Sequence, residues 1–174
     1  FSITYAAATG GTSPVAGTDD TLNLTVEGMG SATADVSVTA AGVETLALTS
    51  NAAATAAGAT NYVNVENVGA TAITAAGAAD LDVASVARGT TSFDASAATG
   101  AVTAALTNAA ADALATVKTG SGDDKVTVSA NDLVATGTID LGDGADTLTV
   151  SSTAAETLQL TMSGVETLNI TGLG

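Results

Sequence analysis

The sequence predicts an all-β fold, a parallel β-solenoid of the β-roll or β-helix type with coils of about 20–22 residues. Three observations predict it: a short strand pattern that recurs along the chain, a regular step between its copies, and a shortage of large core residues. Hydrophobic residues make up 46% of the chain, but aromatics only 2%, and there is no tryptophan. A core of Val, Leu, Ile and Ala is thin, and it suits stacked layers better than a globular centre.

The recurring pattern is an acidic residue, usually followed by Thr, and then two apolar residues that flank one variable position. Clear copies are "DTLNLT" from Asp20, "ETLALT" from Glu44, "DTLTV" from Asp146, "ETLQLT" from Glu156 and "ETLNIT" from Glu166; looser ones are "DKVTV" from Asp124 and "ENV" from Glu66. Alternation of this kind has the period of a strand with one buried face. Each copy is therefore predicted to be a short strand.

The step between copies predicts how the strands stack. Glu44 and Glu66 are 22 residues apart, as are Asp124 and Asp146, and Glu166 follows Asp146 by 20. These intervals have the length of one solenoid coil, so equivalent strands should pair in register. Glu156 lies ten residues from both Asp146 and Glu166, which predicts a second strand on the opposite wall of the same coil.

One continuous domain is expected over residues 1–174, with a weak junction around residues 84–118 where the pattern fades. Phe1 is neither an initiator methionine nor the start of a signal segment, so the chain is interpreted as a fragment of a larger protein. The stretch "NAAADALATV" offers a short helix as an alternative, although a helix of this length is marginal in isolation.

The charge balance restricts the function. The formal net charge is −15, there is no cysteine or histidine, and Arg88, Lys118 and Lys125 are the only basic side chains. Zinc sites and the common nucleophilic mechanisms therefore lack their usual residues. Three basic side chains are too few to form a positive patch that binds nucleic acid. No apolar run is long enough for membrane insertion. The natural partner of such a chain is a cation.

Two turns carry the most specific motif. "TGSGDDKVT" at 119–127 and "LGDGADTLT" at 141–149 share Gly-x-Gly-x-Asp followed by x-apolar-x. This resembles the nonapeptide of RTX (repeats-in-toxin) proteins, G-G-x-G-x-D-x-U-x, with the first glycine replaced by Thr119 and Leu141. Glycines allow tight bends that turn carbonyl oxygens inward, and the aspartate adds a carboxylate; both are hard oxygen ligands suited to Ca²⁺.

A single turn supplies too few oxygens for Ca²⁺, which takes six to eight, so a neighbouring coil must contribute. The two turns are 22 residues apart and are predicted to stack and share an ion. The predicted calcium ligands are Gly120, Gly122, Asp124, Gly142, Gly144 and Asp146, with Asp123, Asp143 and Asp20 as weaker candidates. The alternative is that these are ordinary Gly/Asp-rich turns. The recurrent glutamates Glu44, Glu66, Glu156 and Glu166 are interpreted as a solvated structural ladder.

A wider resemblance covers much of the chain. The phrases "GVETLALTS", "TTSFDASAATGAVT", "TGSGDDKVTVS" and "GVETLNITG" resemble the calcium-dependent RTX-type S-layer proteins of Gram-negative bacteria. That resemblance implies type I secretion, folding in external calcium, and a two-dimensional homo-oligomeric lattice on the cell surface. It also implies anchoring to lipopolysaccharide or another glycan, through other domains. The shorter phrases "GVETL" and "SFDAS" within them also occur in large RTX adhesins.

Three function classes therefore stay open. The first is a structural element of an extracellular, calcium-stabilised bacterial surface layer. The second is the stalk or ligand-binding domain of an RTX adhesin. The third and most remote is a β-helix enzyme that acts on polysaccharide, for which Arg88 and Lys125 are the basic residues on offer. With no aromatic platform for a sugar ring, the chain is expected not to be an enzyme.

Overall fold

The computed structural model describes residues 2–5, 19–52, 59–111, 113–153, 157 and 159–172. These residues form an all-β structure in which two parallel sheets face each other as the walls of a β-solenoid. The predicted fold class is confirmed. Consecutive strands alternate between the walls, so a coil contains one strand from each wall.

The first wall contains the odd-numbered strands, paired in chain order. They are β1 (Ser2–Tyr5), β3 (Val36–Ala40), β5 (Asn61–Val68), β7 (Leu81–Ser85), β9 (Val102–Leu106), β11 (Lys125–Ser129), β13 (Thr147–Ser151) and β15 (Thr167–Thr171). The second wall contains the even-numbered strands. They are β2 (Thr21–Glu27), β4 (Thr45–Asn51), β6 (Ala72–Gly77), β8 (Ser92–Ala98), β10 (Leu114–Lys118), β12 (Leu133–Asp140) and β14 (Thr161–Ser163).

The core is a narrow apolar strip between the walls. Inward positions alternate with outward ones along each strand, as in β4, where Leu46 and Leu48 are buried and Ala47 is partly exposed. Aligned strands repeat the pattern, so Val126 lies over Leu148 in register and both are buried. Phe93 is the largest fully buried side chain in the described part of the chain. Small aliphatic residues suffice because the walls are close together.

The coil length is not constant. The separation of paired positions in adjacent coils ranges from 19 residues, between Leu114 and Leu133, to 35 residues, between Ser2 and Ser37. It is 22 at the two Gly-x-Gly-x-Asp turns. Strands β11 and β13 pair one to one from Lys125 with Thr147 to Ser129 with Ser151, without a bulge. The strands that follow the two predicted calcium turns therefore stack in unbroken register, as β2 and β4 do.

One predicted coil was wrong. Glu44 precedes β4 in the second wall, whereas Glu66 lies in β5 of the first wall, so their 22-residue separation does not span one coil. The partner of Thr45 in the next coil is Ala72. The loops that connect the two walls differ in length along the chain. The 22-residue interval between Glu44 and Glu66 therefore equals a coil length by coincidence. Glu156, the predicted opposite-wall strand start, lies outside the described residues.

Strands β8, β9 and β10 lie within residues 84–118, and each pairs with strands on both sides. "NAAADALATV", residues 108–117, contains the first four residues of β10 and, in its described residues, no helix. The last layer, β14 and β15, pairs on one side only and exposes Met162, Leu168 and Ile170. This layer therefore presents an open strand edge, with the core-facing positions exposed beside it.

Candidate cation site at two stacked turns

The two Gly-x-Gly-x-Asp turns lie directly over one another. Each follows a strand of the second wall and precedes a strand of the first, β11 or β13. The amide of Asp143 donates to the carbonyl oxygen of Gly120 at 2.9 Å, and that of Thr147 donates to the carbonyl of Asp124 at 2.8 Å. The structure thus places the six main predicted ligand residues in two adjacent layers, with the predicted alignment.

The glycines are required because the turns approach so closely. A Cβ atom added at Gly142 would collide with the carbonyl oxygen of Gly120, and one added at Gly120 would collide with that of Ala98. Gly142 also has a φ of 81°, which L residues rarely adopt. The stacked turns therefore need glycine for backbone packing, whether or not an ion is bound.

Thr119 stands where the RTX nonapeptide has its first glycine. Its hydroxyl is buried and donates to the carbonyl oxygen of Leu141, one coil later, at 2.7 Å. A threonine is accepted here because its side chain forms a bond between layers. The departure from the RTX pattern therefore adds a contact between the two turns.

Asp124 and Asp146 are both fully buried, at 0% exposure. Oδ1 of Asp124 accepts the amide N–H of Val102 at 2.7 Å, and Oδ1 of Asp146 accepts the amide N–H of Asp124 at 2.8 Å. Each carboxylate thus reaches back to the previous coil and caps a backbone donor at the start of a strand. One oxygen of each predicted ligand is therefore already used.

The other oxygen of each carboxylate has no hydrogen-bond partner among the described residues. Oδ2 of Asp124 and Oδ2 of Asp146 are both buried and unpaired. Burial raises the pKa of Asp124, and polar contacts with the Thr119 hydroxyl and with the N–H groups of Val102 and Gly120 offset part of that rise. Burial also raises the pKa of Asp146, with the neighbouring charges of Asp124 and Glu166 adding to the rise. An unpaired carboxylate oxygen is costly to bury, and a proton or a cation would relieve that cost.

The weaker candidates behave differently. Asp123 and Asp143 are exposed on the outer side of the turns, and Oδ1 of Asp123 accepts the amide of Ala145 at 3.0 Å. Asp20 precedes β2 in the second wall and does not join the two turns. Its Oδ2 is nevertheless buried and unpaired, and its amide donates to Oε2 of Glu44 at 2.8 Å.

The recurrent glutamates are not a free solvated row. Glu44 accepts the amide of Asp20, and Glu166 accepts the amide of Asp146, each at 2.8 Å through Oε2. The shared phrase "GVETL" marks both positions, although they lie in opposite walls. Glu66 is exposed, as the solvated interpretation expects.

Asp80 makes a contact between coils in the opposite direction, and the sequence patterns above did not single it out. Its Oδ1 accepts the amide of Ala101, in the next coil, at 2.9 Å. The signal that could have found it is its place immediately before β7, equivalent to that of Asp124 before β11.

The donor set suits a hard cation only if the backbone contributes. No three Asp, Glu, His or Cys side chains among the described residues form a metal-binding group. Two free carboxylate oxygens fall short of the six to eight that Ca²⁺ takes, so turn carbonyls would have to supply the others. The two buried carboxylate oxygens nevertheless favour a divalent cation, because each lacks a hydrogen-bond partner among the described residues.

The three basic residues lie apart from one another. Arg88 is exposed in the turn between β7 and β8, and Lys125 is exposed next to Asp124. Lys118 lies between Asp94 and Asp140 on neighbouring strands. Burial raises the pKa of Asp94, but hydrogen bonds from Ser96 and the charge of Lys118 hold it below its ordinary value.

We compared the chain with known protein families, curated proteins and solved structures. The chain matches no protein-family model, no curated protein and no solved structure. None of the described residues belongs to a helix that is long and apolar enough to cross a membrane.

Proposed function

We propose that this chain is a structural module of an extracellular bacterial surface layer, an S-layer lattice of the RTX type, and that Ca²⁺ stabilises its coils. The observation that carries the proposal is the pair of buried, unpaired oxygens on Asp124 and Asp146 in two stacked turns. The resemblance to RTX-type S-layer sequences supplies the location and the lattice. The solenoid is compatible with this role, because stacked coils can serve as an extended structural element.

Residues of both turns would hold the ion. Asp124 and Asp146 would each give the oxygen that the backbone does not use, and carbonyls around Gly120, Gly122, Gly142 and Gly144 would complete the shell. When bound, Ca²⁺ supplies positive charge between layers that otherwise place carboxylates over carboxylates. A net charge of −15 opposes compaction throughout the chain. Low intracellular calcium would keep the chain loose for export, and external calcium would favour the stacked state.

The expected stabilisation is modest for one ion. For a Kd of about 10⁻⁴ M and about 1 mM calcium, linkage gives roughly 1.4 kcal/mol per site. The gain would add up over many copies in a lattice. Calcium therefore acts here as a condition of assembly more than as the sole support of the fold.

Far-UV circular dichroism of the purified chain tests the calcium step, in chelator, in about 5 mM calcium, and in about 5 mM magnesium. A gain of β signal in calcium alone is expected. A chain that is fully β-folded in chelator, with no response to calcium, would contradict the proposal.

Electron microscopy with added calcium then tests the role. Ordered two-dimensional sheets that form when calcium is added support the S-layer. A soluble monomer that retains glycan identifies the adhesin instead.

A further inference from the structure

We infer that a second copy of this chain stacks on the open end of the solenoid, which is formed by β14 and β15. The second copy adds its β2 beside β14, and its β3 beside β15, in place of its own β1. The contact involves neither the cation turns nor the surface-layer role, so it goes beyond the proposed function.

The open end carries the apolar core to the surface. Met162 and Leu168 pair in register with Ile139 and Leu148, which are fully buried. Met162 and Leu168 themselves are 46% and 45% exposed, and Ile170 is 59% exposed. They are exposed because no described strand pairs with the outer edge of β14 or β15. A further layer would bury these side chains as their in-register neighbours are buried.

The strands at the open end lack the features that usually keep edge strands apart. β14 is "TMS" and β15 is "TLNIT", so neither contains a charged residue or a proline. Charged side chains and prolines are common devices that block pairing at an edge. β3 is likewise uncharged, and β2 carries only Glu27, at its last position. Two chains of net charge −15 can therefore meet through these strands with few like charges in contact.

The numbers of strands in the two walls decide how a second copy fits. The first wall has eight described strands and the second wall has seven. Coils run from β1 with β2 to β13 with β14, so β15 has no counterpart in the described second wall. A second copy that kept its β1 beside β15 would leave a gap one strand wide beyond β14. If its β1 is displaced, β3 lies beside β15 and β2 fills the position beyond β14, so both walls continue without a gap.

β1 is the strand best suited to displacement. It is the shortest strand of its wall, and it pairs only with β3, over four positions. β15 has five residues and alternates polar and apolar residues as "SITY" of β1 does. It can take the same positions on β3, with Leu168 opposite Val38 and Ile170 opposite Ala40. The exchange preserves the pairing of β3 and adds the pairing of β14 with β2.

The contact joins two different ends of the molecule. Each added copy therefore presents a new open end, and association continues beyond a dimer. Size-exclusion chromatography with light scattering, over a wide range of protein concentration in calcium, tests this. The mean mass should rise with concentration past that of a dimer. A monomer at every concentration would overturn the inference, as would a mass that stops at the dimer, because that indicates contact between like ends.

The same measurement on folded chain in chelator separates this contact from the cation site. Association that persists there, in a chain whose folding ignores calcium, would contradict the proposed function and leave the contact intact. A chain that folds only in calcium and stays monomeric would do the reverse.

Variants locate the contact. Ile170→Asp puts a charge among the apolar residues of the open end and should weaken association by about tenfold or more. Asn169→Asp adds the same charge on the opposite face of β15 and should associate like the parent. Equal losses in the two variants would show that charge alone is responsible and would refute the apolar contact.

Removal of residues 1–5 tests the exchange, because it leaves the edge of β3 free. The truncated chain should associate about tenfold more tightly or better, since no strand has to be displaced. Circular dichroism establishes that it folds like the parent. A folded truncated chain that associates no better than the parent would refute the displacement of β1. If it does not fold, the comparison of Ile170→Asp with Asn169→Asp decides.

Discussion

The amide N–H of Asp124 donates to Oδ1 of Asp146, one coil later, at 2.8 Å. The same link connects Val102 to Asp124 below it and Asp146 to Glu166 above it. An acidic residue at the start of a strand therefore completes the backbone of the previous coil. This explains why acids recur before the strands of a chain that is already strongly negative.

The first prediction concerns the two buried aspartates. The double variant Asp124→Ala and Asp146→Ala removes both unpaired oxygens, so most of the calcium-dependent gain of β signal should disappear. The loss should be about 1.4 kcal/mol per site at about 1 mM calcium. Circular dichroism during calcium titration measures it. Asp143→Ala, in the same turn but exposed, should titrate like the parent. Unchanged calcium-induced folding in the double variant would rule out this site.

The close packing of the stacked turns predicts that replacing one of their glycines lowers the stability of the fold. Gly142→Ala places a methyl group against the carbonyl of Gly120 at a φ of 81°. We expect a loss of about 2–4 kcal/mol in the free energy of unfolding. Urea denaturation measures it. Gly89→Ala is the control, because the nearest atom to its added Cβ, Cγ2 of Thr71, is 4.0 Å away. Equal losses in the two variants would show that backbone contact between the turns is not the cause.

The hydrogen bond between Glu44 and the amide of Asp20 predicts that Glu44 contributes to stability, although an exposed glutamate would not. Glu44→Ala leaves the amide of Asp20 without its acceptor, and we expect a loss of about 1–2 kcal/mol. Glu44→Gln keeps a carbonyl acceptor and should retain most of the stability. Glu66→Ala removes an exposed glutamate of β5 and should change the unfolding free energy by less than about 0.5 kcal/mol. If Glu44→Ala behaves like Glu66→Ala in urea denaturation, the bond contributes nothing.

A pH dependence follows from two aspartates outside the turns. Burial, and then the charge of Asp35, raise the pKa of Asp82. Its contribution to stability is complete below the unfolded pKa, about 3.9, and is lost as pH rises through the folded value. Asp82→Asn should therefore be more stable than the parent at pH 7 and equal to it at about pH 3. Urea denaturation at both pH values, with about 5 mM calcium present throughout, measures the difference.

Asp94 provides a control, because its pKa is shifted in the opposite direction from that of Asp82. Its pKa is lowered, so its stabilising contribution is present above the unfolded pKa and is lost as pH falls through the folded value. Asp94→Asn should therefore be less stable than the parent at pH 7, and the difference should fade in acid. Parallel responses of the two variants would contradict this assignment.

Much of the architecture was predictable from local patterns. The alternation in "DTLTV" and "ETLNIT" became β13 and β15, paired in register. The 22-residue step from Gly120 to Gly142 became a direct stack. Both predictions succeeded because similar turns that are separated by one full coil length lie directly over one another. The prediction that Glu44 and Glu66 span one coil was wrong for the converse reason. Where the loops between the walls vary in length, two residues 22 positions apart need not lie on the same wall.

The sequence by itself determined the strand period, the narrow aliphatic core and the alignment of the two glycine turns, because each depends on residue type and on a constant step along the chain. Only the tertiary structure decided which wall each acidic strand start occupies and which oxygen of Asp124 and Asp146 is left unpaired. Those outcomes depend on the translation between neighbouring layers. The packing of coils sets that translation, and no single stretch of sequence encodes it.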